Sequence, residues 1–320
     1  MTSRFATARA CSNIALIKYW GNRDNALRLP ANPSISFNLA TLYTETTVSI
    51  EGGERDGVEL DGAPATGDAA RRVTEHLDLL WGANRPHARV RSHNNFPMGA
   101  GIASSAAAFA ALTVAACAAM GHQHAEAALS ALARRGSGSA SRSVPGGYVA
   151  WRDESAYSIA SAEHWPLVDV IGVVSAGHKK VGSTEGHALA PTSPLQAARV
   201  ADAARRFEAC QRAVAQRDFA HLADLIEEDA LMMHGVMMTS TPSLMYFLPG
   251  TMAILHEIRA LRERGVEVAF TIDAGPNVHC ICAPAAVPAV EAALRGLDGV
   301  RDVLTSGIGG PAQVIAQAAG

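Results

Sequence analysis

The most constraining feature of this 320-residue chain is a run of 26 residues, from Phe96 to Gly121, that contains no charged side chain. The run is long enough to span a bilayer. It consists mostly of Ala, Gly and Ser, however, whereas Leu, Ile, Phe and Val are the residues that insert favourably into membranes. Small side chains instead favour close packing of a helix against other backbone. We therefore predict a helix buried in the core of a soluble protein and no transmembrane segment.

The composition also indicates a soluble globular chain. Hydrophobic residues make up 48% and charged residues 18%, so the chain can bury a sizeable core. The net charge of -3 argues against nucleic acid or a membrane surface as a partner. The five cysteines contain no CxxC pair, which argues against a disulfide framework or a structural zinc site. Residues 1–9 do not resemble a signal peptide, so we expect a cytoplasmic location.

The spacing of apolar residues predicts an α+β fold with two lobes. The sequence changes character near Trp165 and Pro166, where the strongly apolar strand 167–175 begins. We therefore predict an N-terminal domain at residues 1–165 and a C-terminal domain at residues 166–320. In the second of these, helices are expected at 194–216, 218–233, 251–264 and 286–297, and strands at 266–272, 277–282 and 300–304.

A glycine-rich turn precedes the charge-free helix and reads PMGAGIASSA over residues 97–106. Glycines let the backbone approach an anion closely, and free N–H groups at a helix N-terminus attract phosphate. The turn is not a P-loop, because no Lys-Ser/Thr pair follows it, and Ser104 stands at the third glycine position of a dinucleotide fingerprint. A flexible turn before an Ala-rich helix is the alternative. We predict a phosphate-binding loop.

Three further segments carry polar groups, and each segment has a functional and a purely structural interpretation. Asp273 follows an apolar strand and precedes Gly-Pro, so it is either a base aimed into a cleft or the cap of an Asx turn, and the turn is favoured without further context. The Ser/Gly segment 136–143 carries Arg142, which suits a carboxylate or phosphate, or is a solvated loop. Lys18 and Tyr19 follow an apolar strand and either hold an anion or decorate a turn.

These segments together resemble the diphosphomevalonate decarboxylase family of the GHMP kinase superfamily. The likeness covers residues 13–24, 94–107, 136–151 and 271–277, in the family's order, together with Met233-His234 and Thr241-Pro242. It implies a two-lobed GHMP kinase fold, with an N-terminal lobe like domain 2 of ribosomal protein S5, a ferredoxin-like C-terminal lobe and a site between them. The implied reaction phosphorylates the C3 hydroxyl of a 5-phosphorylated mevalonate with ATP, then releases phosphate and CO2 to give an isopentenyl phosphate.

The resemblance also implies roles for individual residues. Asp273 would contact the C3 hydroxyl as a base or an orienting charge, with Asn13 beside that contact, and Arg142 would bind the substrate carboxylate. Lys18 is counted with these as catalytic. The other substrate-binding residues would be Tyr19, Ser139 and Ser183, and the ATP-binding residues would be Asn94, Pro97, Gly99, Ala100, Gly101, Ala103, Ser104 and Ser105. Mg2+ would arrive with ATP, because no protein metal cluster is visible.

The chain departs from the family pattern at two positions. Asn22 stands where the family usually has Lys, and Thr184 stands where some bacterial relatives have Arg, both beside the terminal phosphate of the diphosphate. Each lost cation removes contacts worth about 1.5–3 kcal/mol in a desolvated site. This favours mevalonate 5-phosphate slightly over the 5-diphosphate, as in phosphomevalonate decarboxylases, unless His178, Lys179, Lys180 or His187 compensates.

Other readings stay open. One is a mevalonate kinase or another small-molecule GHMP kinase that does not decarboxylate its product, and another is a catalytically silent ligand-binding protein with the same fold. The combination of Asp273, Arg142 and Lys18 favours decarboxylation, because the plain kinase branches lack it. Dimerisation is common in the family, so we keep a homodimer open, although no residue pattern identifies an interface.

Overall fold

The computed structural model describes residues 4–50, 53–96, 104–175, 177 and 182–318. The first half of the chain contains β1 (Arg4–Ile17), β2 (Asn22–Asp24), β3 (Leu29–Pro30), β4 (Ser34–Ile50), β5 (Gly57–Leu60), β6 (Ala63–Pro64), α1 (Gly67–Trp81), β7 (Ala88–Asn94), α2 (Ser104–Ala119), α3 (Glu126–Gly136), a 3₁₀ helix (Gly138–Ser143), β8 (Tyr148–Trp151) and β9 (Ala156–Ala160). The second half contains β10 (Val168–Val173), α4 (Ser183–Leu189), α5 (Gln196–Gln216), α6 (Phe219–Thr239), α7 (Pro249–Glu263), β11 (Val268–Thr271), β12 (Val278–Cys282), α8 (Val287–Arg295), β13 (Asp302–Gly307) and β14 (Gln313–Ala318), with further 3₁₀ turns at Ala190–Thr192 and Pro284–Ala286.

The larger sheet is built around the two long strands β1 and β4, which pair antiparallel. Its order is β14–β1–β4–β7–β5–β6, and β8 and β9 extend it from the other end of β4. In the first part of β1, buried residues alternate with partly exposed ones. The buried ones, Ala6, Ala8 and Ala10, belong to the same hydrophobic cluster as α2. Small residues on both elements let the helix lie close to the sheet.

Helix α2 confirms that the charge-free run forms a buried helix. Of its 16 residues, 12 are buried, so it has no solvent-facing stripe. No helix in the described part of the chain is both long enough and apolar enough to cross a membrane.

The smaller sheet is antiparallel, with the order β11–β12–β10–β13. Helices α7 and α8 share a hydrophobic cluster with residues of this sheet, including Val170 and Phe270. Other residues of the sheet, including Ile171 and Ile281, join a cluster that also contains residues of β1, β4, α5 and α6. The two lobes therefore share a hydrophobic core, which includes Ile14, Leu16 and Ile17 at the end of β1.

The last strand, β14, pairs with β1 and lies in the larger sheet. Its residues are mostly exposed, so no apolar alternation in the sequence marks the strand. The division of the chain at residue 165 stays a prediction, although these last residues do not lie in the smaller sheet. Strands and helices in two lobes agree with the predicted α+β class.

Candidate active site

A pocket lies where the end of β1 meets the 3₁₀ helix, the start of α4 and the turn after β11. Seven of the predicted site residues line it, from both halves of the chain: Lys18, Tyr19, Ser105, Ser139, Arg142, Ser183 and Asp273. Residues separated by more than 250 positions in the sequence thus meet at one place, as the resemblance implied.

The Asp273 carboxylate forms an ion pair with Lys18 in this pocket. Lys18 Nζ lies 2.6 Å from Asp273 Oδ1, and the lysine side chain is 1% exposed whereas the aspartate side chain is 25% exposed. The turn itself is closed by the backbone, since the N–H of Gly275 donates to the carbonyl of Asp273. The Asp273 side chain is therefore aimed into the pocket and is not the cap of a simple Asx turn.

Opposing effects act on the pKa of Asp273. Burial raises it, but the charges of Lys18, His279 and Arg142 and the hydrogen bond from Lys18 outweigh burial, so the pKa lies below its usual range. The carboxylate is consequently ionised at neutral pH and can accept a proton.

The position of Lys18 is fixed by a buried network that sequence reasoning missed. The backbone N–H of Lys18 donates to Asp229 Oδ2 at 2.6 Å, and its carbonyl accepts from Arg199 Nη2 at 2.9 Å and Asn32 Nδ2 at 2.8 Å. Arg206 Nε donates to the other Asp229 oxygen at 2.8 Å. The sequence gives little sign of this network, because Arg199, Arg206 and Asp229 are charged residues within segments predicted as ordinary amphipathic helices.

Arg142 is also buried, but its partners are neutral. Its Nη1 donates to Ser34 Oγ at 2.8 Å, its Nε to Ser36 Oγ at 3.2 Å and its Nη2 to Asn13 Oδ1 at 3.3 Å. Burial lowers the pKa of Arg142 to about 10, so the guanidinium is still charged at neutral pH. It can therefore attract an anion that enters the pocket.

Asn13 lies behind Arg142 and is not among the described residues that line the pocket. Its Nδ2 donates to Ser143 Oγ at 2.8 Å and to the carbonyl of Ser139 at 3.2 Å. The side chain thus joins β1 to the 3₁₀ helix and orients the guanidinium of Arg142.

The Ser/Gly segment is an ordered, buried 3₁₀ helix, so a solvated loop is the wrong interpretation. Its Gly138 contacts Tyr19 closely, and a Cβ at this position would lie 2.6 Å from the tyrosine ring and hydroxyl. Glycine is required here because the two segments approach so closely.

Tyr19 and His187 form an uncharged wall of the pocket. Their rings stack with centroids 4.1 Å apart, and the Tyr19 hydroxyl donates to Asn22 Oδ1. Burial raises the pKa of Tyr19 to about 12, so the hydroxyl keeps its proton. His187 Nδ1 accepts the N–H of Gly21, and burial together with nearby arginines lowers the pKa of His187 to about 3. Both rings are neutral at physiological pH.

The predicted nucleotide-binding residues are only partly described. Pro97, Gly99, Ala100, Gly101 and Ala103 lie outside the described residues, as do His178, Lys179 and Lys180. Ser104 begins α2, and Ser105 lines the pocket with its Oγ 3.3 Å from Ser137 Oγ. Asn94 ends β7 and is not among the described pocket residues; it accepts from Thr44 Oγ1 at 2.6 Å.

Arg28, which sequence reasoning did not select, is a further cation in the pocket wall. It is the last residue of the turn between β2 and β3, and its Nη1 lies 3.4 Å from Thr184 Oγ1. The described residues contain no group of three or more His, Cys, Asp or Glu side chains arranged to hold a metal ion.

Comparison with known proteins identifies similar sequences over most of the chain. Residues 10–162 match the family model of the diphosphomevalonate decarboxylase-like N-terminal domain, and residues 169–305 match that of the mevalonate 5-diphosphate decarboxylase C-terminal domain. Diphosphomevalonate decarboxylase from Candida albicans is 38% identical over 298 residues, which cover 85% of this chain and 82% of the relative. The human enzyme of the same name is 35% identical over 306 residues, or 85% and 75% of the two chains.

Solved structures agree with the sequence relatives. Mevalonate diphosphate decarboxylase from Staphylococcus aureus has a TM-score of 0.92 at 33% identity, covering 98% of this chain and 99% of that one. A structure described as MDDEF in complex with MVAPP, AMPPCP and magnesium has a TM-score of 0.91 at 32% identity, with the same coverage. The predicted two-lobed fold of GHMP type is confirmed.

The predicted preference for mevalonate 5-phosphate is wrong. The sequence relatives are diphosphomevalonate decarboxylases, and the complex with MVAPP is that of a protein with the same fold. The prediction counted the cations missing at Asn22 and Thr184 and allowed compensation only by His178, Lys179, Lys180 or His187. It did not count Arg28, whose place in the pocket depends on a turn and is not evident from sequence spacing.

Proposed function

This chain belongs to the diphosphomevalonate decarboxylase family of the GHMP superfamily, a family of ATP-dependent decarboxylases, and we propose that its substrate is mevalonate 5-diphosphate. In the proposed reaction the C3 hydroxyl is phosphorylated, and phosphate and CO2 then leave to give isopentenyl diphosphate. The observation that carries the proposal is the ionised Asp273, held by Lys18 in the same pocket as the charged Arg142.

Asp273 acts on the C3 hydroxyl in this proposal. Its carboxylate accepts the hydroxyl proton as the oxygen attacks the phosphoryl group, which is general-base catalysis. Lys18 keeps the carboxylate ionised and fixes its orientation through the 2.6 Å contact. Once this proton has passed to solvent, the carboxylate is ionised again, and its negative charge stabilises the positive charge that develops at C3 as the C3–O bond breaks.

Arg142 binds the substrate carboxylate. The electron pair of the bond between the carboxylate carbon and C2 forms the C2–C3 double bond as the phosphate leaves, so the carboxylate must be held in a fixed orientation. The three donated hydrogen bonds to Ser34, Ser36 and Asn13 hold the guanidinium rigidly in place. Ser139, Ser183 and Tyr19 are the remaining substrate-binding residues in this proposal, and all three line the pocket.

ATP supplies the transferred phosphoryl group, and Mg2+ neutralises the charge on its phosphates. The residues present fit these groups. Ser105 and Ser137 place hydroxyl groups in the pocket wall, and α2 begins at Ser104, so the first-turn N–H groups, which have no partner within a helix, lie near them. We assign nucleotide binding to Ser104, Ser105, Asn94 and the segment that contains Pro97, Gly99, Ala100, Gly101 and Ala103. Mg2+ would be held mainly by phosphate oxygens.

A division into domains at residues 1–165 and 166–320 is part of the proposal, and it is supported by family-model matches that end at 162 and begin again at 169. A cytoplasmic location and a homodimer are also proposed. Light scattering of the purified chain distinguishes a dimer from a monomer of 33.4 kDa.

The proposed function predicts one CO2 released for each ADP formed from mevalonate 5-diphosphate, ATP and Mg2+. Asp273→Asn should lower kcat by about 10²- to 10⁴-fold, the usual contribution of a general base. Asp153→Asn is the control, because the Asp153 side chain is exposed and forms an ion pair with the exposed Arg23 away from the pocket lining. Formation of ADP without CO2 would identify a kinase instead, and an Asp273→Asn variant as active as wild type would indicate that the proposed mechanism is wrong.

A further inference from the structure

Two cations in the pocket have no carboxylate partner. Lys18 is paired with Asp273, whereas no described carboxylate oxygen lies within 4 Å of the guanidinium nitrogens of Arg142 or Arg28. A cation that is neutralised by its own protein attracts an external anion only weakly. Arg142 and Arg28 are therefore the charged groups of the described pocket that remain available for anionic parts of a ligand.

Arg28 is held in place without being neutralised. Its backbone has a φ of 51°, in the left-handed region, and its side chain is half-buried. Nε donates to the carbonyl of Arg135 at 3.1 Å, and Nη1 makes the long contact with Thr184 Oγ1. A guanidinium has five N–H donors, so most of them remain free for a ligand.

Other groups near this part of the pocket do not supply positive charge. His187 is neutral, as its low pKa and its acceptance of the Gly21 N–H indicate. The Asn22 side chain accepts from Tyr19 and donates to Asn25 at 2.9 Å, so both of its ends are engaged within the protein. Of Arg28, His187 and Asn22, Arg28 alone carries a positive charge.

We propose that Arg28 binds the diphosphate group of the substrate and thereby determines affinity for the phosphorylated end. This inference rests on the proposed function, in which the substrate carries a carboxylate and a diphosphate. Because Arg142 binds the carboxylate, Arg28 is left for the diphosphate. The planar guanidinium suits this role, since it forms paired, charge-assisted hydrogen bonds with phosphate oxygens.

The test compares Arg28→Gln with Arg23→Gln. Arg23 lies on the same β2–β3 hairpin but is exposed and paired with Asp153, so its substitution removes the same charge outside the pocket. Calorimetry with mevalonate 5-diphosphate alone should give a Kd that is about 10- to 100-fold weaker for Arg28→Gln. Arg23→Gln should bind within twofold of wild type, and Arg28→Lys should recover part of the affinity.

Binding of Mg-ADP separates the substrate from the nucleotide as the ligand of Arg28. The Kd of Mg-ADP should change less than twofold in Arg28→Gln. Unchanged affinity for mevalonate 5-diphosphate, or a loss confined to Mg-ADP, would overturn the inference. Absence of CO2 release by the wild-type enzyme would instead reject the proposed function, and the binding measurement does not depend on turnover.

Discussion

Two sets of buried charges in this molecule are stabilised in different ways. Arg199 and Arg206 share the carboxylate of Asp229, with contacts of 3.4 Å and 2.8 Å, and all three side chains are at most 1% exposed. Arg142 is buried to nearly the same degree, yet its hydrogen bonds go to two serine hydroxyls and an asparagine amide.

The difference separates structural charges from charges that serve a ligand. A buried cation with a carboxylate partner is nearly neutral as a unit, and removing the partner is strongly destabilising. A buried cation whose hydrogen-bond partners are all neutral has its desolvation penalty offset only in part, and for Arg142 the offset comes from the charge of Asp273 beyond hydrogen-bond distance. Such a charge is retained at the expense of stability, and an anionic ligand relieves that penalty when it binds.

The largest expected effect is the loss of stability in Asp229→Asn. The substitution leaves Arg199 without a described carboxylate partner and leaves Arg206 with only the partly exposed Asp202, and it weakens the contact that fixes the Lys18 backbone. The free energy of unfolding, measured by urea titration, should fall by about 3–5 kcal/mol. Asp202→Asn is the matched control, because Asp202 is partly exposed and also contacts Arg206. It should lose about 1 kcal/mol or less. Equal losses in the two variants would mean that the buried carboxylate of Asp229 stabilises the fold no more than the partly exposed carboxylate of Asp202.

Acid should also lower stability, with a smaller effect for each group than that of Asp229→Asn, because three of the described histidines are buried in the neutral form. Burial lowers the pKa to about 3 for His76 and His187 and to about 4 for His234. The unfolded chain binds protons at these positions below a pKa of about 6.5, whereas the folded chain does not, so stability falls as the pH drops from about 6.5 towards 4. Each histidine should contribute about 2 kcal/mol of this loss at pH 5.

His76→Gln tests this pH dependence away from the pocket. His76 Nε2 lies 2.8 Å from Thr113 Oγ1, and glutamine can keep that hydrogen bond. The difference in unfolding free energy between pH 7 and pH 5 should be about 2 kcal/mol smaller in the variant than in wild type. An unchanged difference would show that His76 is protonated in the folded protein.

Local sequence patterns predicted the parts of the molecule that depend on local properties. The charge-free run had to be buried, and it forms α2. The glycine and serine content of residues 138–143 was compatible with a solvated loop as well as with an anion-binding segment. The burial of this segment depends on contact with Tyr19, more than 100 positions away, which the local sequence does not reveal. The prediction that Lys18, Arg142 and Asp273 lie in one site came from the resemblance to the family. The spacing of these residues in the sequence could not have predicted it.

Residues that act through distant partners were not predictable in this way. Asp229 contacts the backbone of Lys18 across 211 positions, and its carboxylate alone gives no sign of that role. Arg28 reaches the pocket because of the turn between β2 and β3, and it contacts Thr184 across 156 positions. The hydrogen bond from Arg142 to Asn13, across 129 positions, is likewise not evident from sequence spacing, and a place for Asn13 beside the contact of Asp273 with the hydroxyl stays a prediction.

Arg142→Gln tests the central claim most directly, by urea unfolding with and without mevalonate 5-diphosphate. Without ligand, the variant should be at least as stable as wild type to within about 1 kcal/mol, because it lacks a buried charge that has no carboxylate partner. A ligand concentration of 100 times the wild-type Kd should stabilise wild type by about 2.7 kcal/mol and the variant far less. A loss of about 3 kcal/mol or more in the unliganded variant, with ligand stabilisation retained, would contradict the account, because Arg142 would then be a structural charge like those around Asp229.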